Sequence, residues 1–203
     1  CRIYSVSRET TNDLIKYEKI LKKENEKLNL IGKSTKNNIW DRHFLDSAQV
    51  IDFIDKNDKN ILDLGSGAGF PGLILAILGK DRGETFKVML LEKSPKKIKF
   101  LKKIIDELKL NVQLINKNIL DDEFEFNNDV FVARAFKPLS VIFELIHSKS
   151  KKWKKIIIFQ GKTGKENIIQ ASKSWDIKYK QRVSATSGDS MILEISELRK
   201  KTN

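Results

Sequence analysis

Apolar positions recur along the chain with two periods. Over residues 7–30, Leu14, Tyr17, Leu21 and Leu28 share one helical face, with Lys and Glu opposite, and Ser7 or Thr10 stands where a cap is needed. A second helix is predicted over 38–54, with Trp40, Phe44, Ala48 and Ile51 on one face. Asp55 to Asn60 is polar and reads as a linker. Beyond it, short apolar runs at 61–64, 86–91, 112–115, 129–133 and 156–159 predict strands. Helical patterns separate them: an apolar run after Pro71, then 95–108, 139–148 and 166–172. Two further strands, 178–183 and 191–195, follow each other directly. Alternation of strand and helix predicts an α/β fold with a mostly parallel, seven-stranded sheet. Residues 1–57 are expected to be a short helical extension packed on the core, and 58–203 the main domain, in one compact unit.

The first strand runs into Leu64-Gly65-Ser66-Gly67-Ala68-Gly69-Phe70-Pro71-Gly72 and then into the helix. Four glycines in eight residues let the backbone take positive φ and let a ligand approach closely. The free N–H groups of the helix start face whatever sits there. Such a loop predicts a nucleotide cofactor, and two classes compete. Gly67-x-Gly69-x-x-Gly72 fits the dinucleotide pattern. Asp63-x-Gly65-x-Gly67-x-Gly69 puts a carboxylate beside the loop, which a pyrophosphate does not need and a zwitterionic amino acid does. The charge argument favours S-adenosylmethionine (SAM).

Other candidate chemistry lies at strand ends, where an open α/β sheet forms its ligand crevice. Glu92 ends the second strand, where an acidic residue hydrogen-bonds ribose hydroxyls. It stands 27 residues after Gly65, beyond the usual spacing of about 20, and the polar insert 80–85 is read as the cause. The fourth strand delivers Arg134-Ala135-Phe136-Lys137, a cation and an aromatic ring suited to a nucleobase. On a regular helix Arg42, His43, Asp46 and Ser47 would be neighbours and form a polar cluster. The helix 95–108 carries Lys96, Lys97, Lys99, Lys102 and Lys103 on its polar side, either a solvated face or a phosphate-binding one.

Composition narrows the class. The formal charge is +12, from 39 Lys and Arg against 27 Asp and Glu. That balance favours a polyanionic partner, nucleic acid or an anionic membrane, or else a bias toward lysine without function. A single cysteine, Cys1, excludes a disulfide framework and a cysteine zinc site, and no metal is expected. No apolar run is long enough to span a bilayer, and no signal peptide is visible, so a cytoplasmic protein is expected.

Several segments together resemble one family, the bacterial 16S rRNA guanine-N7 methyltransferases RsmG (GidB). They are 25–30 (Asn-Glu-Lys-Leu-Asn-Leu), 42–47 (Arg-His-Phe-Leu-Asp-Ser), 63–72, 97–101 (Lys-Ile-Lys-Phe-Leu), 134–136 (Arg-Ala-Phe), and Gly161-Lys162 with Glu166. The resemblance implies a class I SAM-dependent methyltransferase fold, Rossmann-like, which usually finishes on a strand–strand pair. It implies SAM as cofactor and guanine 527 of 16S rRNA as substrate, in free rRNA or the 30S subunit. A monomer is expected. The alternatives are an NAD(P)-dependent oxidoreductase, suggested by the glycine spacing, and a non-catalytic RNA-binding or ribosome-assembly protein, suggested by the charge.

For the site, the resemblance puts cofactor contacts at Gly65, Phe70, Ile119, Leu120 and Arg134. Asp63 would lie near the methionine amino group, Gly65, Ser66 and Gly67 under the cofactor, and Glu92 at the ribose. The loop 117–122 would hold the adenine. Family members usually show an arginine and an acidic residue there; this chain has Asn118 and Leu120, with Asp121 one place later. Gln160 stands where a lysine often precedes Gly161. Arg134 and Phe136, with Arg42 and His43 near the entrance, are expected to position the substrate. Lys96, Lys99, Lys103, Lys137 and Lys162 are the expected RNA contacts. Guanine N7 carries a free lone pair and no proton, so no catalytic acid or base is assigned.

Overall fold

The computed structural model describes residues 4–120 and 125–202. Asp121 and Cys1 lie outside them. Helix α1 (Arg8–Leu28) starts where Ser7 accepts the Thr10 N–H in its side chain. Its buried face is Leu14, Tyr17 and Leu21, as the periodicity predicts. The second helical stretch is not one regular helix. It runs as a π-helix over Trp40–Leu45, an α-helical turn α2 (Asp46–Ala48) and a 3-10 turn over Gln49–Phe53. A helical wheel therefore misplaces its polar residues.

Then come β1 (Asn60–Leu64), α3 (Gly72–Arg82), β2 (Lys87–Leu91), α4 (Pro95–Leu108) and β3 (Val112–Ile115). They are followed by β4 (Val130–Ala133), α5 (Leu139–Lys149), β5 (Lys155–Gln160), α6 (Gly164–Ala171), β6 (Trp175–Ser184) and β7 (Ser187–Lys200). Helix α3 continues through Lys80, Asp81 and Arg82 to a left-handed Gly83, so half of the expected polar insert is its last turn. Strands β6 and β7 are longer than their apolar cores, because the hairpin continues on exposed cross-strand pairs such as Lys178–Glu197 at 2.9 Å.

Among the described residues these strands form one sheet in the order β3-β2-β1-β4-β5-β7-β6. β1 to β5 are mutually parallel, and β7 enters antiparallel between β5 and β6. Strands buried on both faces need apolar residues on both. In β1, Ile61 joins the core under α3 and α4, while Leu62 and Leu64 join the core under α5. Alternation leaves Asp63 on the Ile61 side, under the start of α3. The first core also takes Tyr17, Leu21, Phe44 and Ile51 from the N-terminal segments. The order reverses direction between β1 and β4, and a ligand crevice is expected outside their carboxyl ends.

Candidate functional site

The glycine loop leaves β1 with Gly65 and Ser66 both donating to the Leu91 carbonyl, at 2.9 and 3.1 Å. This ties the loop to the end of β2. Gly65 has φ +72°, and a Cβ there would stand 2.1 Å from the Phe136 ring. Both facts demand glycine. Ser66 is buried and donates to the Asp63 carbonyl at 3.1 Å. Gly67 (φ +59°) donates its N–H to Glu92 Oε2 at 3.0 Å, and Ser94 N–H meets Glu92 Oε1 at 2.9 Å. Glu92 thus closes the loop onto β2.

Asp63 is fully buried. Its Oδ2 accepts the Gly72 N–H at 2.9 Å, capping α3 from below. Its Oδ1 has no hydrogen-bond partner among the described residues, and burial pushes its pKa up to about 7. A buried carboxylate oxygen without a donor is costly unless a cationic group can reach it. The charge of Arg134 reaches Asp63. Arg134 itself lines a cavity beside the loop, and burial lowers its pKa against the pull of Asp46. Asp46 Oδ2 lies 3.1 Å from Arg134 Nη2, Ser47 Oγ accepts from Nη1 at 3.4 Å, and the Arg42 carbonyl accepts from Nη2.

Of the expected cluster of Arg42, His43, Asp46 and Ser47, Arg134 gathers Asp46, Ser47 and the carbonyl of Arg42. His43 turns away from it. Its Nε2 meets Thr35 Oγ1 at 2.8 Å, and its ring stacks on Phe70 at 5.0 Å. Burial, with the charges of Arg134 and Arg42, pushes the His43 pKa down to about 3. Phe70 also stacks on Tyr17 at 5.6 Å, and the Tyr17 hydroxyl donates to the Ala68 carbonyl, so α1 supports the loop directly.

Three cavities open at this end of the sheet. A cleft of about 240 Å³ runs from Gly65 and Glu92 past Leu91 to Ile119 and Leu120. A second cavity of about 260 Å³ lies on the other side of the loop, between His43, Phe70 and Arg134. A third, about 380 Å³, lies between the ends of β4 and β5, over Ala133 and Ile158, with Phe159, Gln160 and Asn167 around it. The cleft and the third cavity share Ala135, Phe136 and Lys137.

Every expected cofactor residue except Asp63 lines the cleft or the loop-side cavity: Gly65, Ser66, Gly67, Phe70, Glu92, Ile119, Leu120 and Arg134. The lysines divide differently. Lys137 lines both the cleft and the third cavity. Lys96, Lys99 and Lys103 lie away from the crevice, with Glu24 and Phe100 in a groove between α1 and α4, and Lys103 pairs with Glu24 at 2.8 Å. Lys162 is exposed and 3.5 Å from Asp189. Sequence reasoning missed Lys93, and named Lys97 and Lys117 only as part of a helix face and of the expected adenine loop; all three line the cleft. Nothing in a run of lysines says which of them the docking of α4 turns inward. Among the described residues no group of His, Cys, Asp and Glu is placed to hold a metal, and no helix is long and apolar enough to cross a membrane.

The fold matches solved methyltransferases. A ribosomal protein L11 methylase from Lactobacillus delbrueckii subsp. bulgaricus superposes with TM-score 0.56 at 19% identity, over 74% of this chain and 76% of that one. M. capricolum TrmK, solved with S-adenosyl-homocysteine, gives 0.53 at 20% identity, over 74% and 66%. Sequence relatives are far closer. Ribosomal RNA small subunit methyltransferase G of Pelagibacter ubique is 40% identical over 97% of this chain and 93% of its own. Its namesake in Rickettsia felis is 36% identical over 96% and 97%. The GidB family profile, rRNA small subunit methyltransferase G, matches residues 10–195. With the profile covering nearly the whole chain and relatives at 36–40% identity along its length, the chain belongs to the GidB family of rRNA small subunit methyltransferases.

Proposed function

We propose that the chain transfers the methyl group of SAM to N7 of a guanine in 16S rRNA, guanine 527 by its family resemblance. The observation that carries this reading is the pair of cavities meeting across Ala135, Phe136 and Lys137. One suits the donor and the other a purine. Bound SAM supplies an electrophilic methyl on a sulfonium. The residues fit such a group: Asp63 offers a buried oxygen without a donor among the described residues, and Arg134, whose charge reaches Asp63, offers a cation lining the loop-side cavity, a match for a zwitterionic amino acid. Glu92 accepts from the ribose hydroxyls, and Ile119 and Leu120 cover the adenine.

Phe136 and Phe159 give the base two rings to stack on. N7 lies on an edge that paired RNA hides in a deep groove, so the guanine enters unpaired. N7 has no proton to lose, and no general base is required. His43 agrees with that, since a group with pKa about 3 is a poor base and its Nε2 is held by Thr35. The enzyme's contribution is orientation, holding N7 in line with the methyl. The working form is taken to be a cytoplasmic monomer acting on free 16S rRNA or the 30S subunit.

The test is a map of N7-methylguanine in small-subunit rRNA from cells with and without the gene. Loss of one such mark, restored by the wild-type chain, is expected. An identical map in both strains would overturn the reading.

A further inference from the structure

Arg134 is held through Asp46, and Asp46 is held in turn by a distant part of the chain. Asp46 is buried, and its Oδ1 accepts from Ser184 Oγ at 2.8 Å and Thr186 Oγ1 at 2.9 Å. Gln49 Nε2 stands 3.3 Å from the same oxygen and 3.1 Å from Ser184 Oγ. Gln49 Oε1 accepts the Ala185 N–H at 2.8 Å. Ser184 ends β6, and Ala185 and Thr186 form the turn into β7. Arg182 secures the approach to that turn, donating to the Gln49 carbonyl at 2.8 Å and lying 4.4 Å over the Phe53 ring.

We propose that this hairpin turn is a positioning element for the cofactor cavity. Two hydroxyls and an amide saturate Asp46 Oδ1, so a single oxygen, Oδ2, faces the guanidinium. Without them the carboxylate turns to grip Arg134 with both oxygens, the geometry such pairs prefer. A guanidinium has five N–H donors. Three interactions now use it: Asp46, Ser47 and the Arg42 carbonyl. Among the described residues the remaining N–H capacity is left to meet a carboxylate in the cavity, and a two-oxygen grip from Asp46 takes that capacity and pulls the cation toward α2. Ser184 and Thr186 thus act through Asp46 and touch neither cofactor nor RNA. The inference rests on the reading that Arg134 meets the methionine carboxylate.

The experiment compares the S184A/T186V variant with wild type, using calorimetry for SAM, S-adenosyl-homocysteine and 5′-methylthioadenosine, alongside melting temperature. SAM and S-adenosyl-homocysteine should bind about tenfold more weakly, the value of one charge-assisted hydrogen bond. 5′-Methylthioadenosine has no amino-acid carboxylate and should keep its affinity. T186S alone should match wild type. R134K separates the layers. Unchanged SAM affinity in R134K would overturn the role of Arg134 and this inference with it. Weakened SAM binding in R134K, with the hairpin variant within twofold of wild type, would overturn the inference alone. Equal losses for SAM and 5′-methylthioadenosine would also overturn it, because they mark general loosening. If the double variant does not fold, S184A alone should show the same selectivity on a smaller scale, and its absence would count against the proposal.

Discussion

Glu92 and Asp63 show how single side chains serve the loop before any ligand arrives. Both Glu92 oxygens already accept backbone N–H groups, from Gly67 and Ser94. Glu92→Ala should weaken SAM binding by about 1–3 kcal/mol, the range for hydrogen bonds to a charged group. It should also lower the melting temperature, since Gly67 loses its acceptor. Calorimetry on a folded variant with unaltered SAM affinity would reject the ribose role. Asp63 makes a prediction about pH. Its folded-state pKa is about 7, against an ordinary 3.8, because burial disfavours the charged form. The folded protein therefore holds this proton where the unfolded chain has lost it, and stability from Asp63 declines as pH rises from about 4 to about 7. His43, depressed to about 3, works in the opposite sense and destabilises the fold as pH falls below about 6.5. Asp63→Asn keeps an oxygen for Gly72 and removes only the first slope. Melting curves of wild type and variant should diverge between pH 4 and 7. Parallel curves would mean that Asp63 is ionised throughout.

At the level of elements, α1 and the glycine loop are one mechanical unit. Tyr17 is fully buried, stacks on Phe70 and donates to the Ala68 carbonyl from a helix that never reaches the crevice. Tyr17→Phe keeps the ring but leaves that carbonyl without its partner. The expected cost is about 1–3 kcal/mol of stability, with weaker SAM binding as the loop relaxes. Chemical denaturation and SAM titration of the same variant measure both. A stable variant with normal affinity would show that the loop needs no support from α1.

For the whole molecule the question is whether the excess positive charge meets RNA. The groove of Lys96, Lys99 and Lys103 shares no residue with the cofactor cleft, which makes it a clean place to ask. Replacing Lys96 and Lys99 by Glu should weaken RNA binding and leave SAM affinity intact. Each lost phosphate contact should flatten the salt dependence by about 0.7–0.9 in logarithmic slope. A methylation assay on 16S rRNA and 30S particles across a salt series reads the effect. Full activity of the variant at every salt would mark this lysine face as solvated surface.

The chain's own pattern determined the order and kind of its elements. Apolar runs of strand length, helical spacing in α1 and α4, and Asp63 with Gly65, Gly67 and Gly69 are local signals, because backbone freedom and burial act residue by residue. The carboxylate of Asp63 beside the glycine loop already favoured SAM, and the family resemblance of the segments around 42–47 and 63–72 added methyl transfer to rRNA, which periodicity alone does not contain. What lies across the sheet was settled only by folding. The wheel of residues 38–54 placed Arg42, His43, Asp46 and Ser47 side by side, yet π and 3-10 turns break that wheel, and a cation 87 residues from Ser47 does the gathering. Lys97 reaches the cleft while Lys96 and Lys99 do not, because the docking of α4 against α1 chooses the face. Ser184 and Thr186 carry no motif at all. They meet Asp46 from 138 and 140 residues away, because the β6–β7 turn comes to rest beside α2, a contact set by packing that no local pattern encodes.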